Sequence, residues 1–449
     1  MAVISPFRAL RYNPAKVGNI EDVVSPPYDV IDPQAQSALL SRNPYNMIRL
    51  DLSKNVKTEQ MTGERYAESA RLFKLWQEQQ VLLREEQPSF YLYEIDYRLP
   101  GGVVHTRRGF LSRVRLADFA EGVVKRHEKT FSGVTDDRLQ LLDTCQAQFS
   151  PIFSLYSDPD NRVIEMLEQA RQGEPLYRAV DHDGCEHRLW VVSEPTLLAR
   201  VSDFFHERCL YIADGHHRYT TALQYRDLVR QRQGELPAEH PANQTMMYLC
   251  GMEDPGLSVL PTHRLLRLPR QISVAGLHEE LGNYFTIEEV DTGFRESLLS
   301  DMFAQMAAGR RAEENTRFGL YHPGEDRCLL LTLKDGVMER EASDRPAALR
   351  DLDVVVLSDL IIDRLPGLDP ERCVQGDLLE YFSDPDEALD VAIKEAGSQY
   401  EHTPLLFLMN PTLVEQVKRV ADEDLVMPHK STFFYPKILT GLAINPLSD

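Results

Sequence analysis

Residues 210–218 read Leu-Tyr-Ile-Ala-Asp-Gly-His-His-Arg: four apolar residues, then a carboxylate, a glycine, two imidazoles and a guanidinium within five positions. Residues 219–231 continue with a helical pattern, so the spacing predicts a strand, a glycine turn and a helix. A buried strand that feeds a helix through so short a turn requires a sheet with helices packed on it, which makes the chain a mixed α/β protein. The helix start also leaves backbone N–H groups without intrahelical acceptors, and they and the helix dipole favour an anion. In this reading Gly215 lets backbone approach the anion and Arg218 clamps phosphate oxygens with two parallel bonds. Asp214 holds a Mg2+ ion or orients a histidine. A plainer reading stands beside it, a capped helix with one buried histidine, since Asp is a good N-cap residue.

The remaining patterns supply the frame. Residues 25–33 place three prolines in nine positions and read as a stiff, irregular piece that can hold Tyr28 and Asp29 at the rim of a pocket. Residues 58–80 carry an i, i+3, i+4, i+7 apolar stripe and predict a helix. Residues 88–99 and 103–114 alternate around Pro100-Gly101-Gly102 and predict an antiparallel hairpin. The stretch Gly122 to Thr130, which contains His127, Glu128, Lys129 and Thr130, leads into a helix near 135–145 and a short strand at 151–156. Residues 158–208 read as a helix, a short strand at 189–192 and a second helix, and 246–252 as a buried strand. Beyond 268 helical and strand patterns alternate without clusters of His or Gly. The expected division is therefore a hairpin-and-helix region over 1–120, a nucleotide-binding core over 121–267 and an α+β region over 268–449. Two further segments carry candidate pocket residues. Thr262-His263-Arg264 follows an apolar strand, and His429-Lys430-Ser431-Thr432 with Lys437 offers cations and hydroxyls suited to phosphate or carboxylate.

Composition enters as a filter. The 449 residues include 49 Lys+Arg against 70 Asp+Glu, a net charge of -21 that opposes phosphate backbones and anionic lipid. Nucleic acid and membrane are thus not expected partners. No leader and no window of roughly 18 apolar residues is present, which predicts a cytoplasmic protein. The six cysteines are scattered, with no C-x-x-C pair, and read as reduced thiols. No H-E-x-x-H motif occurs, and His216 and His217 diverge by about 100 degrees on a helix, so a zinc centre is not expected. His182, Asp183 and His187 have a metal-like spacing but surround Gly184 and read as a surface turn.

The sequence of a strand, a turn and DGHHRYTTAL resembles the phosphate-binding corner of the ParB/sulfiredoxin superfamily, and the form with Asp-Gly-His-His-Arg looks most like its free serine kinases. The parts upstream match as well: Arg126-His127-Glu128-Lys129, a helix from about 135, then Pro151-Ile152-Phe153. The resemblance implies that Glu128 deprotonates or aligns a substrate hydroxyl. It also implies that Asp214, Gly215, His216, His217 and Arg218, with His127, Lys129 and Thr130, hold nucleotide phosphates, and that ATP or ADP with Mg2+ is the cofactor. Sulfiredoxin chemistry is disfavoured because His216 stands where that branch has its cysteine. The partitioning branch reads Gly-Glu-Arg-Arg at the corner and adds a basic helix-turn-helix, and neither is present. Over nearly all of its length the chain also resembles domain-of-unknown-function family 1015, through PFRALRYNP, SPPYDVIDP, HEKT, DGHHRY and MPHKSTFFYPKILTGL.

The expectation is a nucleotide-dependent kinase of free L-serine or a similar small hydroxy compound. Two alternatives stay open: a nucleotide-hydrolysing switch of the ParB type that acts through a partner, and a non-catalytic sensor of a phosphorylated metabolite. The assembly, including a homodimer, is also open.

Overall fold

The structure is a computed structural model that describes residues 1–52, 62–99, 102–291, 297–310, 316–368, 373, 378–397 and 402–447. The chain divides into two units, Met1–Ser258 with Phe434–Asp449, and Val259–Phe433.

The first unit is built on a nine-stranded mixed sheet. Its strands are β1 (Ile4–Ser5), β2 (Phe90–Arg98), β3 (Val104–Arg115), β4 (Val124–Lys125), β5 (Ile152–Tyr156), β6 (Tyr177–Val180), β7 (Glu186–Val192), β8 (Leu210–Asp214) and β9 (Gln244–Gly251). They lie in the order β4-β8-β5-β9-β3-β2-β7-β6, with β1 beside β3. Two pairings are parallel, β8 with β4 and β9 with β5, and the rest are antiparallel. The predicted hairpin is β2 and β3, in register from Tyr91 opposite Leu111 to Arg98 opposite Val104. Its Pro100-Gly101 turn lies outside the described residues.

Period-two alternation sorts the strand residues onto two faces. One face, with Phe90, Leu92, Phe110, Ile152, Ile212, Met247 and Leu249, packs against α3 (Arg162–Ala170), α4 (Pro195–Phe204) and α5 (His216–Gln233) through Val163, Leu167, Leu198, Val201 and Tyr219. Full burial of each large side chain there contributes about 1.5–3 kcal/mol. The alternate residues Tyr93, Phe153 and Tyr248 form an aromatic row on the other face, with ring centroids 5.3–5.4 Å apart. Phe434 of the C-terminal segment lies on this row, 5.7 Å from Phe153.

The stripe at 58–80 becomes α1 (Thr62–Glu78), and the amphipathic stretch near 135 becomes α2 (Ser132–Cys145), which packs on α5 through Leu142, Tyr225 and Val229. Residues 58–61 lie outside the described set. Two expectations need correction. Residues 158–208 hold a second strand, because Tyr177–Val180 also alternates in burial and folds back on β7 through a turn at Gly184, whose φ of 77° suits glycine. The irregular N-terminal stretch contains the ten-residue helix Pro33–Arg42. Pro33 has the fixed φ that a first helical position needs, and Asp32 caps it by accepting the Ala35 N–H at 2.7 Å.

The second unit holds a six-stranded sheet, antiparallel throughout: β10 (His263–Leu268), β11 (Phe285–Val290), β12 (Arg317–His322), β13 (Arg327–Leu333), β14 (Leu379–Phe382) and β15 (Thr403–Leu408), in the order β11-β13-β12-β15-β10-β14. No helix among the described residues is long and apolar enough to cross a membrane. Five of the six cysteines are buried and the sixth, Cys209, is half-buried.

Candidate active site

Strand β8 ends at Asp214, Gly215 turns the chain with φ 96° and ψ 30°, and α5 starts at His216, three positions before the helix expected from 219. A side chain at 215 would be strained at that φ, and its Cβ would lie 2.9 Å from Arg218 Nε. Glycine is therefore required by backbone conformation and by the close pass of a guanidinium. The first-turn amides of α5 are those that lack intrahelical acceptors.

Beside this corner runs the loop after β4, which pairs with β8. Two adjacent imidazoles hold it. His216 Nε2 accepts the backbone N–H of His127 at 3.3 Å, and His217 Nε2 accepts that of Phe131 at 3.1 Å. The 100° step between neighbouring helical residues, which argues against a shared metal, lets them grip two points of the loop. The His127 and His216 rings meet edge to face at 4.6 Å, His217 stacks on Phe131 at 5.9 Å, and Thr130 Oγ1 lies 3.5 Å from Thr220 Oγ1.

An accepting Nε2 assigns the ring proton of neutral His216 to Nδ1. That atom points at Glu128 Oε2, 3.5 Å away, an electrostatic contact longer than a good hydrogen bond. His216 is buried and Glu128 about one quarter exposed. Burial lowers the His216 pKa to about 4, although Glu128 and Asp214 act to raise it. Burial, then His216, lowers His127 to about 3. Both imidazoles are therefore neutral near pH 7. The arrangement aims a neutral N–H at a carboxylate that keeps some access to solvent.

Asp214 lies between two cations. Arg218 Nη2 donates to Oδ2 at 2.8 Å, and Lys437 Nζ is 3.5 Å from Oδ1. Burial alone would raise this carboxyl, but Lys437 and Arg218 outweigh it and hold it well below the usual carboxylate range. Arg218 also donates through Nη1 to Ser150 Oγ at 3.0 Å and to the Pro151 carbonyl. Its side chain is 10% exposed, so its hydrogen bonds run into the protein. A divalent ion wants oxygen ligands free of competing cations. Both Asp214 oxygens face cationic side chains, and among the described residues no three His, Cys, Asp or Glu groups at this corner lie close enough to share an ion. The corner does not fit a resident Mg2+ on Asp214.

Tyr28 and Asp29 lie in a short 3-10 turn of the same unit. The Arg138 guanidinium stands 4.3 Å over the Tyr28 ring, and Arg138 Nη1 is 3.2 Å from Asp51 Oδ1. Tyr28, Asp51, Arg138, Ser150, Arg218 and Thr221 line the polar side of a cleft of about 60 Å³. Asp51, Arg138 and Ser150 carry no motif signal and join the cleft only through the fold.

The other candidates belong to the second unit. His263 is buried and its Nδ1 accepts the Met409 N–H at 3.1 Å. His429 meets Tyr381 edge to face at 6.1 Å, and the Lys430 carbonyl accepts from Arg264 Nη2 at 3.3 Å. Ser431 donates to the Pro428 carbonyl at 2.6 Å, and Thr432 follows it in the chain. Of the residues with metal-like spacing, His187 is buried between Tyr93 Oη at 2.7 Å and Asp181 at 3.0 Å. His182 and Asp183 are exposed beside Asp181.

The buried histidines set a pH dependence. The His216 pKa is depressed below its unfolded value of about 6.5, so between those values the unfolded chain binds more protons. Stability is then full above about pH 6.5 and falls as pH drops toward 4, with His127 contributing in the same direction down to about 3. Asp214, whose pKa is lowered, adds a loss only below the ordinary carboxylate range near 3.9. Urea midpoints measured from pH 8 to 4.5 check this: the decline begins near 6.5 in the parent and is shallower in His216→Gln. A midpoint constant down to pH 4.5 contradicts it.

The family described as "Protein of unknown function (DUF1015)" matches residues 4–355. No curated protein matches the chain. Three solved structures are similar at low identity. A free serine kinase in complex with AMP is 13% identical, over 71% of this chain and 89% of that one, with a TM-score of 0.33. A conserved hypothetical protein from Pyrococcus furiosus is 13% identical, over 71% and 92%, with a TM-score of 0.32. SbnI with a C-terminal truncation, from Staphylococcus aureus, is 10% identical, over 75% and 87%, with a TM-score of 0.34. At such values a likeness carries no argument about chemistry, which rests on the contacts above.

Proposed function

We propose that this chain, which belongs to the DUF1015 family, binds a nucleotide at the glycine corner of residues 214–218 and transfers a phosphoryl group to a small hydroxylated molecule, free L-serine first among the candidates. The observation that carries the reading is the approach of Glu128 to His216 at the start of an 18-residue helix. A hydroxyl nucleophile needs a positioned acceptor for its proton, and a polyphosphate needs N–H donors and cations a short distance away. In this reading Glu128 is the acceptor, and the amides at the start of α5 with Lys129 are the phosphate donors and cation.

In this reading the first-turn amides of α5 and the basic side chains receive the phosphates. Glu128 faces the acceptor hydroxyl and takes its proton as the oxygen attacks. His216 keeps Glu128 in place through its Nδ1 proton, while its Nε2 fixes the loop. His217 anchors the far end of that loop at Phe131. Lys129 is exposed beside Glu128 and can meet phosphate oxygens. Mg2+ bound together with the nucleotide would offset the charge of its phosphates. Phosphoryl transfer of this kind rests on positioning and charge more than on covalent chemistry by the protein.

The deciding experiment incubates the protein with Mg2+, with ATP or ADP, and with a panel of hydroxy amino acids, and looks for phosphorylated product by 31P NMR. Product that accumulates in step with nucleotide loss supports the kinase. Nucleotide loss that requires a partner protein supports the switch reading. Tight binding of a phosphorylated metabolite with no turnover supports the sensor.

A further inference from the structure

The second unit holds a cleft of about 410 Å³, lined by residues of β12 and β13, of the helix Ala347–Arg350 and of the segment that follows β15. Two half-buried arginines, Arg317 and Arg350, are part of its wall. Arg317 Nε donates to Thr332 Oγ1 at 3.0 Å, and its two terminal nitrogens meet no acceptor among the described residues. The Arg350 guanidinium meets none there at all, and its Nε is shielded from solvent as well. A shielded N–H without an acceptor costs roughly 1–3 kcal/mol, more when the group is charged.

Other arginines of the unit have partners within the protein. Arg267, Arg270, Arg345 and Arg364 each hold a carboxylate at 2.6–2.9 Å, and Arg264 donates to the Thr262 and Lys430 carbonyls. The two guanidiniums left without such an acceptor line one and the same cleft. Its own carboxylates do not fill them: Asp351 pairs with Arg419 at 3.1 Å, and Asp353 accepts from Asn410 Nδ2 at 2.7 Å. Glu339 lines the cleft too, exposed and without a cationic partner among the described residues. An arginine fork matches a planar carboxylate through two parallel bonds. A doubly charged phosphate would be opposed by the acidic groups around it, whereas a ligand that carries its own ammonium is drawn to them.

We propose that this cleft binds a free amino acid, or another small molecule that joins a carboxylate to an ammonium, with Arg317 and Arg350 on the carboxylate and Glu339 on the ammonium. Its volume lies within the range of small-molecule pockets, roughly 300–1,000 Å³. The site lies wholly within the second unit and does not depend on the nucleotide reading of the corner. The ligand replaces water on the guanidiniums, and no bond is made or broken.

The test uses the full chain and isothermal titration with the common free amino acids, acetate, methylamine and inorganic phosphate. At least one amino acid should bind, and more tightly than acetate, methylamine or phosphate. Arg317→Met and Arg350→Met should each weaken it by roughly 10- to 100-fold, the loss expected of a charge-assisted hydrogen bond. Arg350→Lys should recover only part, because an ammonium cannot form the fork. Glu339→Gln changes an exposed side chain and leaves the fold in place, so it should weaken the amino acid by about two- to fivefold and leave acetate unchanged. Binding should persist in Glu128→Gln, which separates this cleft from the corner of the first unit. An amino acid affinity that is unchanged in both Met variants, or lost in Glu128→Gln, overturns the proposal. So does a parent protein that binds no amino acid, or that binds phosphate more tightly than all of them.

Discussion

Replacing Glu128 by glutamine is expected to lower the rate of phosphoryl transfer by at least about 100-fold, the range of a lost general base, while nucleotide affinity stays within about twofold. Glutamine keeps the size and one carbonyl oxygen of the side chain, so the loop held by His216 and His217 should persist. What is lost is the basic oxygen that faces the neutral His216 N–H. A fall in kcat with a steady Kd for ADP identifies a group that acts on the reacting proton. A variant with the parent's turnover would remove Glu128 from the chemistry. A variant that loses nucleotide binding would mean that the carboxylate serves to build the loop.

The second large effect is on stability. Asp214→Asn should cost the first unit about 2 kcal/mol, because it keeps shape but takes the carboxylate away from two half-buried cations, Arg218 and Lys437. The chain's two tryptophans, Trp76 and Trp190, both lie in the first unit, so their fluorescence in urea reports its unfolding. Adding Lys437→Met to Asp214→Asn should recover part of the loss, since it removes one of the two cations that faced the carboxylate. Coupling in this double-mutant cycle is expected at about 1–2 kcal/mol. Additive effects would indicate that the two side chains do not share the contact.

The two predictions divide the site into parts with different logic. Glu128, His216 and His217 form a loop-to-helix clasp made of short-range contacts between neighbouring strands and turns. Asp214, Arg218, Ser150, Thr440 and Lys437 form a charged cluster of residues that lie up to 290 positions apart in the chain. In the proposed kinase reading the first part aims a hydroxyl and the second holds the corner that receives phosphates. The cluster draws in the chain's C-terminal segment, whose backbone is fastened to the sheet on either side of Lys437.

Much of this was legible before any coordinates. Hydrophobic spacing marks β2, β3, β5, β8 and β9 because period-two patterns are local. Gly215 is readable as a turn because few other residues accept its φ of 96°. Residues 214–218 stand out through their own cluster of a carboxylate, a glycine, two imidazoles and a guanidinium, whereas Glu128 stands out through the resemblance. The start of α5 was placed three residues late, since His216 and His217 look like loop chemistry until their rings are seen bonding backbone amides. The helix opened by Pro33 was missed because three prolines in nine residues mask its single good first position. Only the tertiary structure decided that Arg218 is spent on Asp214, Ser150 and Pro151, and that Lys437 meets the same carboxylate. The physical reason is range. Turn and strand preferences are energies of one to four neighbouring residues, written in the order of the chain. The pairing of side chains 223 positions apart follows from which strands adjoin in the sheet and where the last segment is fastened to it.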